Sequence, residues 1–148
     1  MSNLSGFVKR VRDIMRNDAG INGDAQRIEQ IAWMLFLKVY DAKEQDWEFD
    51  DAAYASVIPA PCRWANWAHD DRSGAALTGD ALLDFVNNTL FPTLKKLPVD
   101  ASTPIRKAIV QTTFADANQY MKDGVLLRQV IKPDRRAGSF RLRGEPRL

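Results

Sequence analysis

Cysteine and histidine are almost missing from this chain of 148 residues, which has one of each, Cys62 and His69. A single thiol cannot close an internal disulfide and has no second thiol with which to build a zinc site. That usage fits a reducing compartment, and a cytoplasmic location is the expectation. One histidine leaves no His pair for a metal and makes a Ser-His-Asp triad hard to assemble. His69, beside Asp70 and Asp71, could act as an acid–base group or a ligand, although such a residue more often caps a loop. Cys62 lies between Pro61 and Arg63. A neighbouring cation can lower a thiol's pKa, but a buried, inert thiol is the commoner outcome. The eight glycines never assemble into Gly-x-Gly-x-x-Gly or a phosphate loop. Asp50 and Asp51 resemble the start of an acidic metal loop, yet no further ligands follow at regular spacing. No apolar run approaches the roughly 18 residues that span a bilayer. Met1-Ser2-Asn3-Leu4-Ser5 carries no basic region followed by an apolar one, so no signal peptide is expected. These absences point away from a complete enzyme, a metal protein and a membrane protein.

What is present reads as one globular domain. Hydrophobic residues make up 45% and charged residues 27%, and the length suffices for a single buried core. The net charge of +2 is unevenly placed. Residues 132–148 hold six basic side chains (Lys132, Arg135, Arg136, Arg141, Arg143, Arg147) against Asp134 and Glu145. The first 131 residues hold 15 basic and 17 acidic side chains, so the body is mildly acidic. General basicity therefore gives no reason to expect nucleic-acid binding by the body.

Apolar spacing predicts an all-α fold. From Leu4 to Asn17, Leu4, Phe7, Val8, Val11, Ile14 and Met15 share a helical stripe, with Ser2, Asn3 or Ser5 available as a cap. Asp24 is the expected N-cap of a core helix running to about Gln45 through Ile28, Ile31, Ala32, Leu35, Phe36, Val39 and Tyr40. Trp33, Met34 and Leu37 widen its stripe until it is apolar nearly all round, as a central bundle helix is. From Asp46 to Gly79 the pattern breaks, with Pro59, Pro61 and an aperiodic aromatic run. A helix then starts at Thr78 or Asp80, kinks or restarts near Pro92 and stops before Pro98. Ser102-Thr103-Pro104 reads as a capped start for a helix with Ile105, Ala108, Ile109 and Val110 on one broad face. A last helix covers Asp123 to about Ile131. The prediction is a single bundle of five or six helices with a long Trp-containing loop, residues 1–131, followed by a basic flexible tail, 132–148.

Two surfaces are candidates for a partner. Lys9, Arg12 and Arg16 fall on one side of the first helix, with Arg10 on another flank. Such a stripe can neutralise phosphates without reading sequence, and equally can be the solvated face of an amphipathic helix. Arg63 with Trp64 and Trp67 offers planes that could stack on bases, although tryptophans in a loop more often anchor it to the core.

At this point the sequence resembles a known family. The run Gln30-Ile31-Ala32-Trp33-Met34-Leu35-Phe36-Leu37-Lys38-Val39-Tyr40-Asp41-Ala42-Lys43-Glu44 is similar to the core helix of the N-terminal domain of type I restriction–modification DNA methyltransferase M (modification) subunits. Cys62-Arg63-Trp64-Ala65-Asn66-Trp67-Ala68 and Leu77-Thr78-Gly79-Asp80-Ala81-Leu82-Leu83-Asp84-Phe85-Val86-Asn87-Asn88 resemble it too. The likeness covers residues 4 to 131. It implies an adenine-N6 methyltransferase subunit using S-adenosylmethionine, working with a specificity subunit, a second M subunit and, in the restricting form, a restriction subunit.

In that family the cofactor motif and the Asn-Pro-Pro-Phe or Asp-Pro-Pro-Tyr catalytic motif lie in a later Rossmann-like domain. This chain has no Pro-Pro dipeptide. No catalytic or cofactor residue therefore carries over, and the chain alone is expected to be inactive, with no cofactor of its own. After Ile131 the composition departs from the family's acidic connection, which leads us to expect a non-native or truncated continuation. The resemblance implies a domain that helps close M subunits around DNA and contributes to assembly. Lys9, Arg12 and Arg16 are then the leading DNA-contact candidates, with Arg10 and Arg63 behind them, and the expected binding to duplex DNA is weak and non-specific. The competing expectation is a purely structural oligomerisation module that never touches DNA.

Overall fold

The computed structural model describes residues 2–68 and 77–131. His69, Asp70, Asp71 and the tail from Lys132 lie outside the described residues, as do the side chains of Ser2 and Asn3. The order is α1 (Ser2–Met15), α2 (Asp24–Asp50), a 3-10 turn (Ala60–Cys62), α3 (Trp64–Trp67), α4 (Gly79–Phe85), a π segment (Val86–Leu90), α5 (Phe91–Lys95), α6 (Ile105–Ala115) and α7 (Gly124–Ile131). Because α4, the π segment and α5 form one continuous rod, the described residues fold as five helices and the single-turn α3. No strand occurs among them. The fold is all-α, as the apolar spacing predicts.

α2 is the hub. Its inner side buries Ile31, Trp33, Met34, Leu37 and Tyr40. Trp33 meets Phe91 of α5 edge-on at 4.9 Å and Phe114 of α6 at 6.2 Å, and Phe91 meets Phe114 at 5.1 Å. Such pairs add to the burial of large aromatic area and lock three helices together. α7 packs on α4 and α1, contributing buried Leu127, Val130 and Ile131 beside Val11, Met15 and Leu82.

Several local expectations change. Ser5 lies inside α1, which already begins at Ser2, so it is no cap. Gly23, not Asp24, is the N-cap residue of α2. Its φ of +87° is one that glycine adopts without strain. Asp24 is the first helical residue and accepts hydrogen bonds from the Arg27 guanidinium. α2 also runs past Gln45 to Asp50. Its last turns are held by partners distant in sequence or beyond its end, because Trp47 packs between Tyr40 and Tyr54 and Glu48 is bonded to Arg63. In the rod, Pro92 has no N–H and its ring would crowd the carbonyl four residues back. The π segment widens the turn just before it, with the Phe91 N–H reaching the Val86 carbonyl, so the chain passes the proline without breaking.

α6 starts at Ile105 behind an extended Pro104, without a side-chain cap. The Thr103 hydroxyl donates instead to the Asp100 carbonyl at 2.8 Å and accepts from the Asp100 N–H. The local turn uses the group that would otherwise cap the helix. The face of α6 is also different from the one expected: Val110 and Phe114 are buried, while Ile105 and Ile109 are 79% and 49% exposed. The start of α7 is as read, with Asp123 accepting from the Val125 and Leu126 N–H groups.

Candidate interaction surfaces

α1 turns Val11 and Met15 fully inward. That register leaves Lys9, Arg12 and Arg16 in solvent on the opposite side. Asp13 sits among them, 3.6 Å from Lys9 Nζ and 3.4 Å from Arg16 Nη1. Pairs this exposed contribute little to stability and exchange readily with other anions. Asp24 borders the same stripe. Its carboxyl is held below the usual range chiefly by the Arg27 hydrogen bond and charge, with smaller contributions from Arg12 and Arg16. The stripe is thus cationic but locally tempered by two carboxylates.

Arg10 and Arg63 are engaged elsewhere. Arg10 Nη1 donates to the Gln129 carbonyl at 3.3 Å, near the C-terminal end of α7, where a cation also suits the helix dipole. Arg63 grips Glu48 through both terminal nitrogens at 2.9 and 3.2 Å. Its Nε lies 3.3 Å from Glu44, which is fully buried, and its own side chain is only 19% exposed. The Glu48 hydrogen bond first, and the Glu44 charge with it, raise the Arg63 pKa and fix its positive form. Tyr54 completes the cluster by donating to Glu44 at 2.7 Å. Arg63 therefore carries a charge already matched by α2.

The tryptophan segment anchors the loop. Trp67 is buried, donates from Nε1 to the Cys62 carbonyl at 3.0 Å, and meets Trp64 at 5.2 Å and Phe85 at 5.6 Å. Burial pushes the Cys62 thiol pKa up, the inert alternative of the two considered. Asp51 closes a turn, accepting from the Ala53 N–H and from Tyr54 through its carbonyl. Among the described residues no group of three or more His, Cys, Asp and Glu could hold a metal, and no helix is long and apolar enough to cross a membrane.

Two uncovered apolar faces appear where the sequence pattern reads as core. On α2, Ala32, Leu35, Phe36, Val39, Tyr40, Lys43 and Trp47 line an open groove of about 310 Å³, and Ile28 on the same helix is 65% exposed. On α6, Ala108, Ile109, Thr112, Thr113 and Asp116 line a shallow depression of about 440 Å³. A helix that is apolar nearly all round shows that several faces want cover, and not which of them the same chain supplies.

Comparison with known proteins now gives the fold a family. The profile of the HsdM N-terminal domain matches residues 4–133. The methylase subunit of the Escherichia coli type I restriction enzyme EcoEI is 47% identical over 128 residues, covering 86% of this chain and 26% of that protein. Among solved structures, a modification subunit assigned to a type I restriction enzyme of Vibrio vulnificus YJ016 superposes with a TM-score of 0.80 at 32% identity, covering 95% of this chain and 31% of the other. A chain from a structural study of complex assembly and conformational transition in the type I restriction–modification system gives 0.68 at 32% identity, over 86% of this chain and 24% of that one. The chain thus spans about a quarter to a third of the length of these relatives. A match over almost the whole described body places this chain in the family of HsdM N-terminal domains.

Proposed function

We propose that this domain serves a type I restriction–modification adenine-N6 methyltransferase subunit as an assembly module that also holds duplex DNA weakly, by phosphate contacts from the outer face of α1. The observation that carries the DNA part is the register of α1. With Val11 and Met15 locked inward, Lys9, Arg12 and Arg16 face solvent together, and three cations along one side of a helix can follow a phosphate backbone. Arg10 and Arg63, each held by protein acceptors, are secondary in this reading. The chemistry, with S-adenosylmethionine as methyl donor, belongs to the part of such a subunit outside this chain. The partners are a specificity subunit and a second modification subunit, with a restriction subunit in the restricting complex, all in the cytoplasm.

The test is duplex binding by the whole chain, followed by fluorescence anisotropy over a salt series. Binding should be independent of sequence, and the logarithm of affinity should fall by up to about 0.9 per phosphate contact for each decade of salt. Reversing the stripe with Lys9→Glu, Arg12→Glu and Arg16→Glu should remove most of the slope that remains once the tail arginines are neutralised. Unchanged binding after that reversal, or binding that ignores salt, overturns the DNA half of the proposal. The uncovered groove on α2 favours a second reading, a structural module without DNA contact. In that case the reversed variant assembles normally with its partner subunits and the parent chain shows no stripe-dependent binding.

A further inference from the structure

The outward face of α6 has a spacing of its own. Ile105, Ile109, Thr112 and Asp116 follow one another at steps of four, three and four, the seam spacing of helices that pair along their length. All four are exposed. Thr113, beside the seam, spends its hydroxyl on the Ile109 carbonyl at 2.7 Å, so its methyl is left to pack. The opposite side of α6 is fully occupied by Val110 and Phe114 in the core, and Pro104 at the N-cap fixes where the helix begins. The seam is therefore presented rigidly.

Charge selects the partner and its direction. Asp116 lies on the seam at the C-terminal end, and the N-terminal end has neither a side-chain cap nor an acidic residue in its first turn. Each end thus carries the wrong complement for its own helix dipole. A parallel neighbour would set Asp116 against Asp116, two like charges in a partly desolvated seam. An antiparallel copy sets each Asp116 over the uncapped first turn of the other α6, where free N–H groups, Arg106 and Lys107 supply positive charge. Ile109 then meets Thr112 across a two-fold axis, a self-complementary contact.

We infer that α6 is a self-association face, pairing antiparallel with α6 of a second copy of this chain through Ile105, Ile109, Thr112 and Asp116. This deepens the assembly half of the function proposed above and is separable from its DNA half. An eleven-residue helix is only about 16 Å long, so the pair is weak between free chains. Copies tethered in one assembly would meet at a much higher effective concentration.

Sedimentation of the full chain over a concentration series should show a reversible monomer–dimer equilibrium. Ile109→Glu and Asp116→Lys should each lower the association constant by about tenfold or more, with thermal melts by circular dichroism confirming that the variants fold. Ile28→Glu, on the exposed part of α2, should leave association unchanged. A nitroxide on Ala115→Cys, with buried Cys62 unlabelled, reads direction. Antiparallel pairing puts the two labelled backbones about 16 Å apart and parallel pairing about 9 Å. A monomer at every attainable concentration overturns the inference, as does a dimer indifferent to Ile109→Glu or the short label distance. A dimer lost with Ile28→Glu also overturns it and moves the contact to the α2 groove.

Discussion

Arg63 closes on Glu48 at the surface and on Glu44 beneath it, and Tyr54 reaches the same buried carboxylate from the other side. A charge taken out of water is tolerable only while its partners stay, so the cluster is a stiff joint between the end of α2 and the segment leading to the tryptophans. Arg63→Ala should cost about 3 kcal/mol or more in a urea melt, because Glu44 is left buried without its cation. Tyr54→Phe should cost about 1–3 kcal/mol by withdrawing a donor. The tyrosine also predicts an alkaline effect. Burial first, then the hydrogen bond and charge of Glu44, raise the Tyr54 pKa above its ordinary 10.0, and burial followed by the Glu44 charge raises that of Tyr40. The folded chain keeps these protons where the unfolded chain gives them up. Their stabilisation is complete below pH 10 and is lost as pH rises above it. Chemical melts across that range should show Tyr54→Phe losing less stability with pH than the parent. None of this partnership follows from spacing, since Arg63 and Glu44 lie 19 positions apart in different elements and meet only through the turn between them.

Among the elements, the sharpest packing constraint is where α7 crosses the start of α4. A side-chain carbon on Gly124 would fall 2.0 Å from the Gly79 carbonyl oxygen, a backbone atom that cannot simply swing away. Gly124→Ala should therefore destabilise by about 1–3 kcal/mol, with hydrogen exchange quickening in α4 and α7 together. Gly6, inside α1, has open space around it. There the same change should stabilise by about 0.5–1 kcal/mol, since alanine restricts the unfolded chain and suits a helix. The two glycines look alike as letters. Helix existence was readable from apolar steps of three and four, and Pro92 announced its own kink. The ends were less readable, because Thr103 had two acceptors to choose from and α2 gained its last turns from Trp47, Tyr54 and Arg63.

For the molecule as a whole, charge and packing belong to different parts of the chain. The body is mildly acidic, and the positive excess lies in residues 132–148. A cation exchanger should therefore release the chain much earlier once Arg135, Arg136, Arg141 and Arg143 are changed to Gln. Reversal of Lys9, Arg12 and Arg16 should act more on DNA affinity at moderate salt than neutral substitution of the same three residues. If the tail substitutions leave retention unchanged, the surface field is not organised as the composition says.

The helical class, the central place of the segment around Trp33, the anchoring role of Trp67 and the resemblance to the HsdM N-terminal domain were all legible in the linear chain. Each depends on local periodicity, on short-range turn chemistry or on residues that occur together in order. Which apolar faces stay uncovered was not legible. Ile105 and Ile109 have the same hydrophobicity as Val110, and Phe36 the same as Phe114, yet only the last of each pair is sealed by its neighbours. The fate of each cation was equally hidden, with Arg63 and Arg10 bound to protein acceptors and Arg12 left facing water. Coverage and pairing depend on which elements meet across long stretches of chain. That outcome is a competition among packings, set by shape and desolvation, and no window of sequence contains both competitors.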